Sequence, residues 1–150
     1  MEHQINIINQ TNFRINKEEL IKIIKRCIKL TNFKKRCEID LILTDDQTIT
    51  QFNYRYRKLK KPTDVLSFAL WEKGNEKIDS PDKIIHLGEI IISLETAKRQ
   101  SQQLRHSWRK ELAILIIHGF LHLLGYTHQK KKDKEKMFFW QEKIFNSLNL

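Results

Sequence analysis

Apolar residues recur along this chain with two different periods, and the switches between them outline the elements. Gln4 to Asn9 is a short apolar run that predicts a first strand. From Lys17 to Leu30, Leu20, Ile24, Cys27 and Ile28 fall at helical spacing with lysines on the other side, which predicts a helix. The period then drops to two. Cys37, Ile39, Leu41 and Leu43 alternate with Glu38 and Asp40, the mark of a strand with one buried face. Thr44-Asp45-Asp46-Gln47 fits a capping box, so a second helix is expected from there to about Tyr56. The basic segment Arg57 to Lys61 follows, and Pro62 turns the chain into an extended stretch. Asp64 to Leu70 is apolar enough for a buried strand.

Trp71 to Lys83 holds Gly74, Asn75, Ser80 and Pro81 and reads as one long loop. His86 to Ser93 is strand-like again, with Ile90, Ile91 and Ile92 in a row. Ser93 or Leu94 opens a helix to about Arg105, and Ser107 caps the next, from Trp108 to Leu124. A last helix runs from about Lys131 to Leu148, with Met137, Phe138, Ile144, Phe145 and Leu148 as its apolar stripe. No internal repeat or linker interrupts this order. Four strands interspersed with about five helices predict a single α+β domain, built on a mixed four-stranded sheet.

Composition narrows the class without changing the fold. At 150 residues, 40% hydrophobic and 31% charged, the chain is an ordinary globular protein large enough for a proper core. The opening MEHQINIINQ has no long apolar run behind a basic start, so no secretory signal is expected. The most apolar stretch, Leu112 to Leu124, is too short to span a bilayer and carries two histidines, which argues against membrane insertion. Cys27 and Cys37 match neither a redox pair nor a zinc-finger pair and read as reduced, buried thiols of a cytosol-like compartment. Lysine and arginine exceed aspartate and glutamate by 28 to 18, a formal charge of +10. Such a surplus attracts polyanions, and nucleic acid is the natural partner class.

The chemistry concentrates in His118-Gly119-Phe120-Leu121-His122-Leu123-Leu124-Gly125-Tyr126-Thr127-His128. Residues four apart on a helix share a face, so His118 and His122 point at a common site. Gly125 suits the left-handed residue that ends a helix, and the return of the chain brings His128 to the same point. Three neutral imidazoles suit zinc with an open fourth position, where a water becomes acidic enough to act as a nucleophile near neutral pH. Imidazoles also serve nickel, copper and iron. By contrast, His3, His86 and His106 stand alone and read as hydrogen-bonded structural residues. The spacing matches the zinc-protease pattern H-E-x-x-H-x-x-G-x-x-H except at its second position. Gly119 stands there in place of the glutamate that serves those enzymes as general base, which counts against peptide hydrolysis.

With glycine in that place, HGFLHLLGYTH resembles the YbeY family of bacterial endoribonucleases, whose motif reads H-G-x-L-H-L-x-G-Y-D-H. Upstream, Tyr56-Arg57 with Lys61-Pro62-Thr63-Asp64-Val65-Leu66-Ser67-Phe68 looks like that family's second block, and Leu87-Gly88-Glu89-Ile90 like its third. The resemblance implies a zincin-like α+β fold and one zinc ion per chain on His118, His122 and His128. It implies a single-strand-specific endoribonuclease in ribosomal RNA maturation, at the small-subunit 3′ end, and in ribosome quality control. It also implies contacts with the small ribosomal subunit and its assembly factors (a GTPase or ribosomal proteins), in a bacterial cytoplasm or the stroma or matrix of a bacterially derived organelle. Arg57 falls at the family's functionally important arginine, where a guanidinium can clamp a scissile phosphate. Taken alone, Arg57 reads as a solvated surface residue. Two departures stand out. Thr127 replaces the family's usual Asp, and the segment after His128 is rich in lysine where relatives are often acidic.

The leading reading is therefore a metal-dependent endoribonuclease, with Arg57 at the phosphate and Lys58, Lys60 and Lys61 guiding the strand electrostatically. Glu89 and Asp64 are candidate bases only because they lie in the matching blocks. The alternative is a non-catalytic zinc-containing assembly factor that binds ribosomal RNA. A third reading, hydrolysis of some other substrate, fits the charge less well.

Overall fold

Four of the five described helices begin where a short polar side chain can satisfy a free backbone N–H group of the first turn. Asn16 accepts from the Glu19 amide at 3.2 Å to open α1 (Lys17–Leu30). Asp45 accepts from Thr48 at 2.8 Å to open α2 (Asp46–Arg57). Ser93 opens α3 (Leu94–Gln103), and Ser107 opens α4 (Trp108–Leu123). The final helix, α5 (Lys131–Ser147), has no side-chain cap. The capping box expected at Thr44 is thus displaced by one residue. Thr44 is claimed by the sheet, where it pairs with Ser93, and Asp45 caps instead. The computed structural model describes residues 2–71 and 84–150, so the long loop expected from Trp71 to Lys83 lies outside the described residues beyond Trp71.

The strands are β1 (Gln4–Asn9), β2 (Cys37–Thr44), β3 (Val65–Ala69) and β4 (Ile85–Ser93). They form a mixed sheet in the order β1-β2-β4-β3, with β3 antiparallel to β4 and the other pairs parallel. Strand alternation sends successive side chains to opposite faces. On one face Cys37, Ile39, Leu41, Leu43, Ile90 and Ile92 meet α1 and α4 in the main core. Helix α4 is apolar nearly all round because the sheet, α1, α3 and α5 enclose it. On the other face α2 covers a small satellite core of Ile49, Leu66 and Ile91, with Ile42, Phe52 and Phe68 partly buried around it.

Gly88 marks the tightest backbone approach. Its φ is +138°, and a Cβ built there would lie 2.1 Å from the Phe68 carbonyl oxygen on the neighbouring strand. A cluster of hydrogen bonds fixes the corner where α2 meets α3. The Asp46 carboxylate accepts from the Ser93 and Thr96 hydroxyls and from Arg99. Burial opposes ionisation of Asp46, but these three donors outweigh it and hold the carboxyl below its ordinary range.

The isolated histidines behave as expected. His86 pairs with Glu38, His106 with the buried Glu111, and His3 accepts from the Cys37 amide at 3.2 Å. Both cysteines are free and buried, and burial pushes their thiols up, Cys37 to about 12. Along α5, Met137 and Ile144 are buried, whereas Phe138 faces solvent and does not belong to the apolar stripe.

Candidate metal centre and its surroundings

Helix α4 ends in a Schellman turn, and that turn assembles the histidines. The Tyr126 amide donates to the Leu121 carbonyl at 3.1 Å and the Gly125 amide to His122 at 3.0 Å, with Gly125 at φ +98°. No atom lies within 4 Å of a Cβ built on Gly125, so its glycine serves conformation rather than space. The reversal returns His128 to the helix face carrying His118 and His122. The ligand atoms of the three side chains all lie within 4.8 Å of one another. The Nε2 atoms of His118 and His122 are 3.0 Å apart, and the His128 ring stacks on His118 at 5.0 Å between centroids.

This set fits a divalent cation. Burial, then the neighbouring His122 and His128, lowers the His118 pKa to about 4. His122 is lowered too, chiefly by burial. Neutral imidazoles with converging nitrogens need lose no proton at pH 7 before they can coordinate. Among the described residues no fourth His, Cys, Asp or Glu joins the cluster, and His128 is exposed, so one side of it opens to solvent.

Gly119 has a steric explanation. A Cβ there would lie 2.7 Å from Ile90 Cγ2 and 3.2 Å from Ser67 Oγ. The Ser67 hydroxyl donates to the Gly119 carbonyl at 3.1 Å, tying α4 to β3 one residue beyond His118. The position that carries the protease glutamate is here a packing contact, with no room for a side chain.

The expected base candidates are placed elsewhere. Asp64 accepts from the Val65 amide and from Gln100 and so anchors the start of β3. Gly88 and Ile90 face α4, so alternation puts Glu89 on the opposite face of the sheet. Thr127 is half-buried and makes no side-chain hydrogen bond among the described residues. Of the lysines after His128, Lys130, Lys131 and Lys132 are exposed at the N-terminus of α5, against the positive end of its dipole.

The basic candidates form a second group. Arg57 is the last residue of α2, one beyond the expected end, and Lys58, Lys60 and Lys61 follow in the loop to β3. All four are exposed, and none is ion-paired among the described residues. Lys58 takes the left-handed conformation at φ 60° and closes the helix. Asn53, fully buried, donates through Nδ2 to the Lys61 carbonyl at 2.9 Å and so pins the loop to the helix. Sequence reasoning passed over Asn53. Its signal was a polar residue on the stripe of Ile49, Phe52 and Tyr56. No hydrogen bond or ion pair joins this group to the imidazoles among the described residues.

The profile of the family described as Endoribonuclease YbeY matches residues 5–149. The Endoribonuclease YbeY of Acetivibrio thermocellus is 42% identical over 140 residues, covering 89% of this chain and 86% of its own. That of Geobacillus thermodenitrificans is 39% identical, covering 100% of this chain and 99% of its own. The solution structure of TM1509 from Thermotoga maritima superposes with a TM-score of 0.63 at 26% identity, covering 95% of this chain and 87% of that one.

Proposed function

The chain belongs to the endoribonuclease YbeY family, and on that premise we propose that it is a metal-dependent endoribonuclease whose single domain spans residues 1–150. The observation that carries this reading is the convergence of His118, His122 and His128, whose ligand atoms lie within 4.8 Å of one another beside a partly open face. We assign these three residues as ligands of one zinc ion. When bound, zinc supplies Lewis acidity at a phosphate oxygen and a more acidic water.

The chain's own residues supply the rest. The Gly119 packing contact and the Ser67 hydrogen bond hold α4 against the sheet, so two ligands sit on a rigid element. Arg57, exposed and without an ion-pair partner among the described residues, clamps the scissile phosphate and offsets charge that develops on it. Lys58, Lys60 and Lys61, pinned through Asn53, attract the strand.

The substrate in this reading is single-stranded RNA, specifically precursor ribosomal RNA at the small-subunit 3′ end. The small subunit and its assembly factors are the partners, and the bacterial cytoplasm is the compartment. No helix among the described residues is long and apolar enough to cross a membrane. The non-catalytic alternative is less well supported, because a structural site is normally closed by four protein ligands and only three converge here among the described residues.

The test compares the parent with His122→Ala and Arg57→Ala for bound metal and for cleavage of a precursor ribosomal RNA fragment. The parent is expected to hold about one zinc and to cut. His122→Ala should lose both properties. Arg57→Ala should keep the metal and cut about a hundredfold more slowly. Equal cutting by all three proteins would overturn the reading.

A further inference from the structure

An exposed aromatic ring is set into the basic end of α2. Tyr56 is 56% exposed although two rings hold it in place. Phe68 lies 4.8 Å away between centroids, and Phe52, one turn back on α2, is nearly coplanar at 11° and 6.4 Å. These contacts restrict the rotamers open to Tyr56, so a flat partner that stacks on it meets a reduced ordering cost. The Arg55 guanidinium sits 5.7 Å from the Tyr56 ring centre.

Along α2 and the loop after it the charge flanking this ring has one sign, and Glu89, across from Phe68 on β4, is an acidic group on the same face of the sheet. From Gln47 to Thr63 there is no acidic residue, while Arg55, Arg57, Lys58, Lys60 and Lys61 fall within seven positions. None of the five has an ion-pair partner among the described residues. An exposed ring among unpaired cations suits a ligand that is both anionic and aromatic, and a single nucleic-acid strand with unstacked bases is such a ligand.

Topology connects the ring to the imidazoles. Strand β3 lies at the edge of the sheet. Its Phe68 touches Tyr56 on the α2 face, and the preceding residue, Ser67, bonds Gly119 on the α4 face, next to His118. Two consecutive residues of one edge strand therefore contact the two groups from opposite faces of the sheet.

We propose that Tyr56 is a base-stacking residue for single-stranded RNA. A base packs on the ring that Phe52 and Phe68 hold, the phosphates follow Arg55, Arg57 and Lys58, and the strand crosses the β3 edge to the histidines. This rests on the endoribonuclease reading and adds to it how the strand is held and why it is single. A base locked in a duplex has no free face for Tyr56.

Tyr54 provides a matched control. It is 46% exposed with Lys60 5.1 Å from its ring centre, but two residues from Tyr56 it points to the other side of α2. The experiment measures binding of a labelled single-stranded oligoribonucleotide by stopped-flow anisotropy, read before cleavage, for the full chain and for Tyr56→Ala, Tyr56→Phe and Tyr54→Ala. Tyr56→Ala should weaken binding roughly tenfold. Tyr56→Phe should bind like the parent, and Tyr54→Ala should stay within about twofold, since it lacks the stacking role. The salt dependence should match across the series, because a ring carries no charge. Should Tyr56→Ala fail to fold, Tyr56→Leu keeps the apolar contact with Phe68 and is expected to show the same loss. Parental affinity in Tyr56→Ala or Tyr56→Leu, with cleavage intact in the parent, overturns this proposal alone, as does an equal loss in both tyrosine variants. A parent that neither binds nor cuts RNA overturns the endoribonuclease reading along with it.

Discussion

On one face of the sheet α1 and α4 bury a continuous aliphatic core, and the two helix-borne histidines rise from the edge of that core. On the other face α2 packs through Ile49 on the buried Leu66 and Ile91 and leaves tyrosines, arginines and lysines in solvent. The thick face gives positional precision, which ligands need if they are to converge without rearrangement. The thin face gives access and charge, which a flexible polyanion needs more than it needs precision. One sheet thus separates the two demands, and the edge strand β3 is where they meet.

The largest test of this contrast lies in the cores. Phe120→Ala, in the main core, should cost about 3–5 kcal/mol of unfolding free energy in urea titration. Phe52→Ala, on the sheet-facing side of α2, should cost less than half of that, because its side chain is only partly withdrawn from water. Equal losses would mean that the thin face is as integral to the fold as the thick one. A smaller effect is expected at the contact between α4 and the sheet. Gly119→Ala gains about 1 kcal/mol of helix propensity but pushes a methyl against Ile90 Cγ2, and overpacking of this kind costs about 1–3 kcal/mol. The net expectation is a lower melting temperature together with weaker metal retention. A rise in both would show that Ile90 yields and that the contact is not constraining.

The smallest effect should have opposite signs in two assays. Lys58 occupies a left-handed position that favours glycine. Lys58→Gly should therefore raise stability by up to about 1 kcal/mol. It should also lower RNA affinity and reduce the salt slope by about one. Loss of stability would place the Lys58 side chain in the fold rather than at the ligand.

The elements were largely legible because their periodicity is strong, and all four strands and five helices fall where the pattern put them. The errors came where two local signals competed. Thr44 and Asp45 can each cap α2, and only the pairing of Thr44 with Ser93 decides between them. Phe138 sits at helical spacing with Phe145, and Met137 with Ile144, yet nothing local says which of these adjacent stripes of α5 meets α4. The three histidines were legible because their spacing, the helix end and Gly125 are one local unit. The role of Gly119 was not, because Ile90 and Ser67 are far away in sequence. Nor was the relation between Tyr56 and the histidines, which exists only through the packing of α2 and α4 on opposite sides of β3.

The Schellman turn at Gly125 also bears on chelation. The helix sets the backbones of His118 and His122 on one face before any cation arrives, so capture adds no backbone ordering cost at these two residues. His128 lies beyond the helix, on a short closure whose sharpest bend is already set by two backbone hydrogen bonds. As the proposed metal site, the cluster would be a tridentate chelate with two arms on a helix and His128 as its exposed third. Release of a cation would begin at that exposed arm and leave the helix-borne pair in place for the next one.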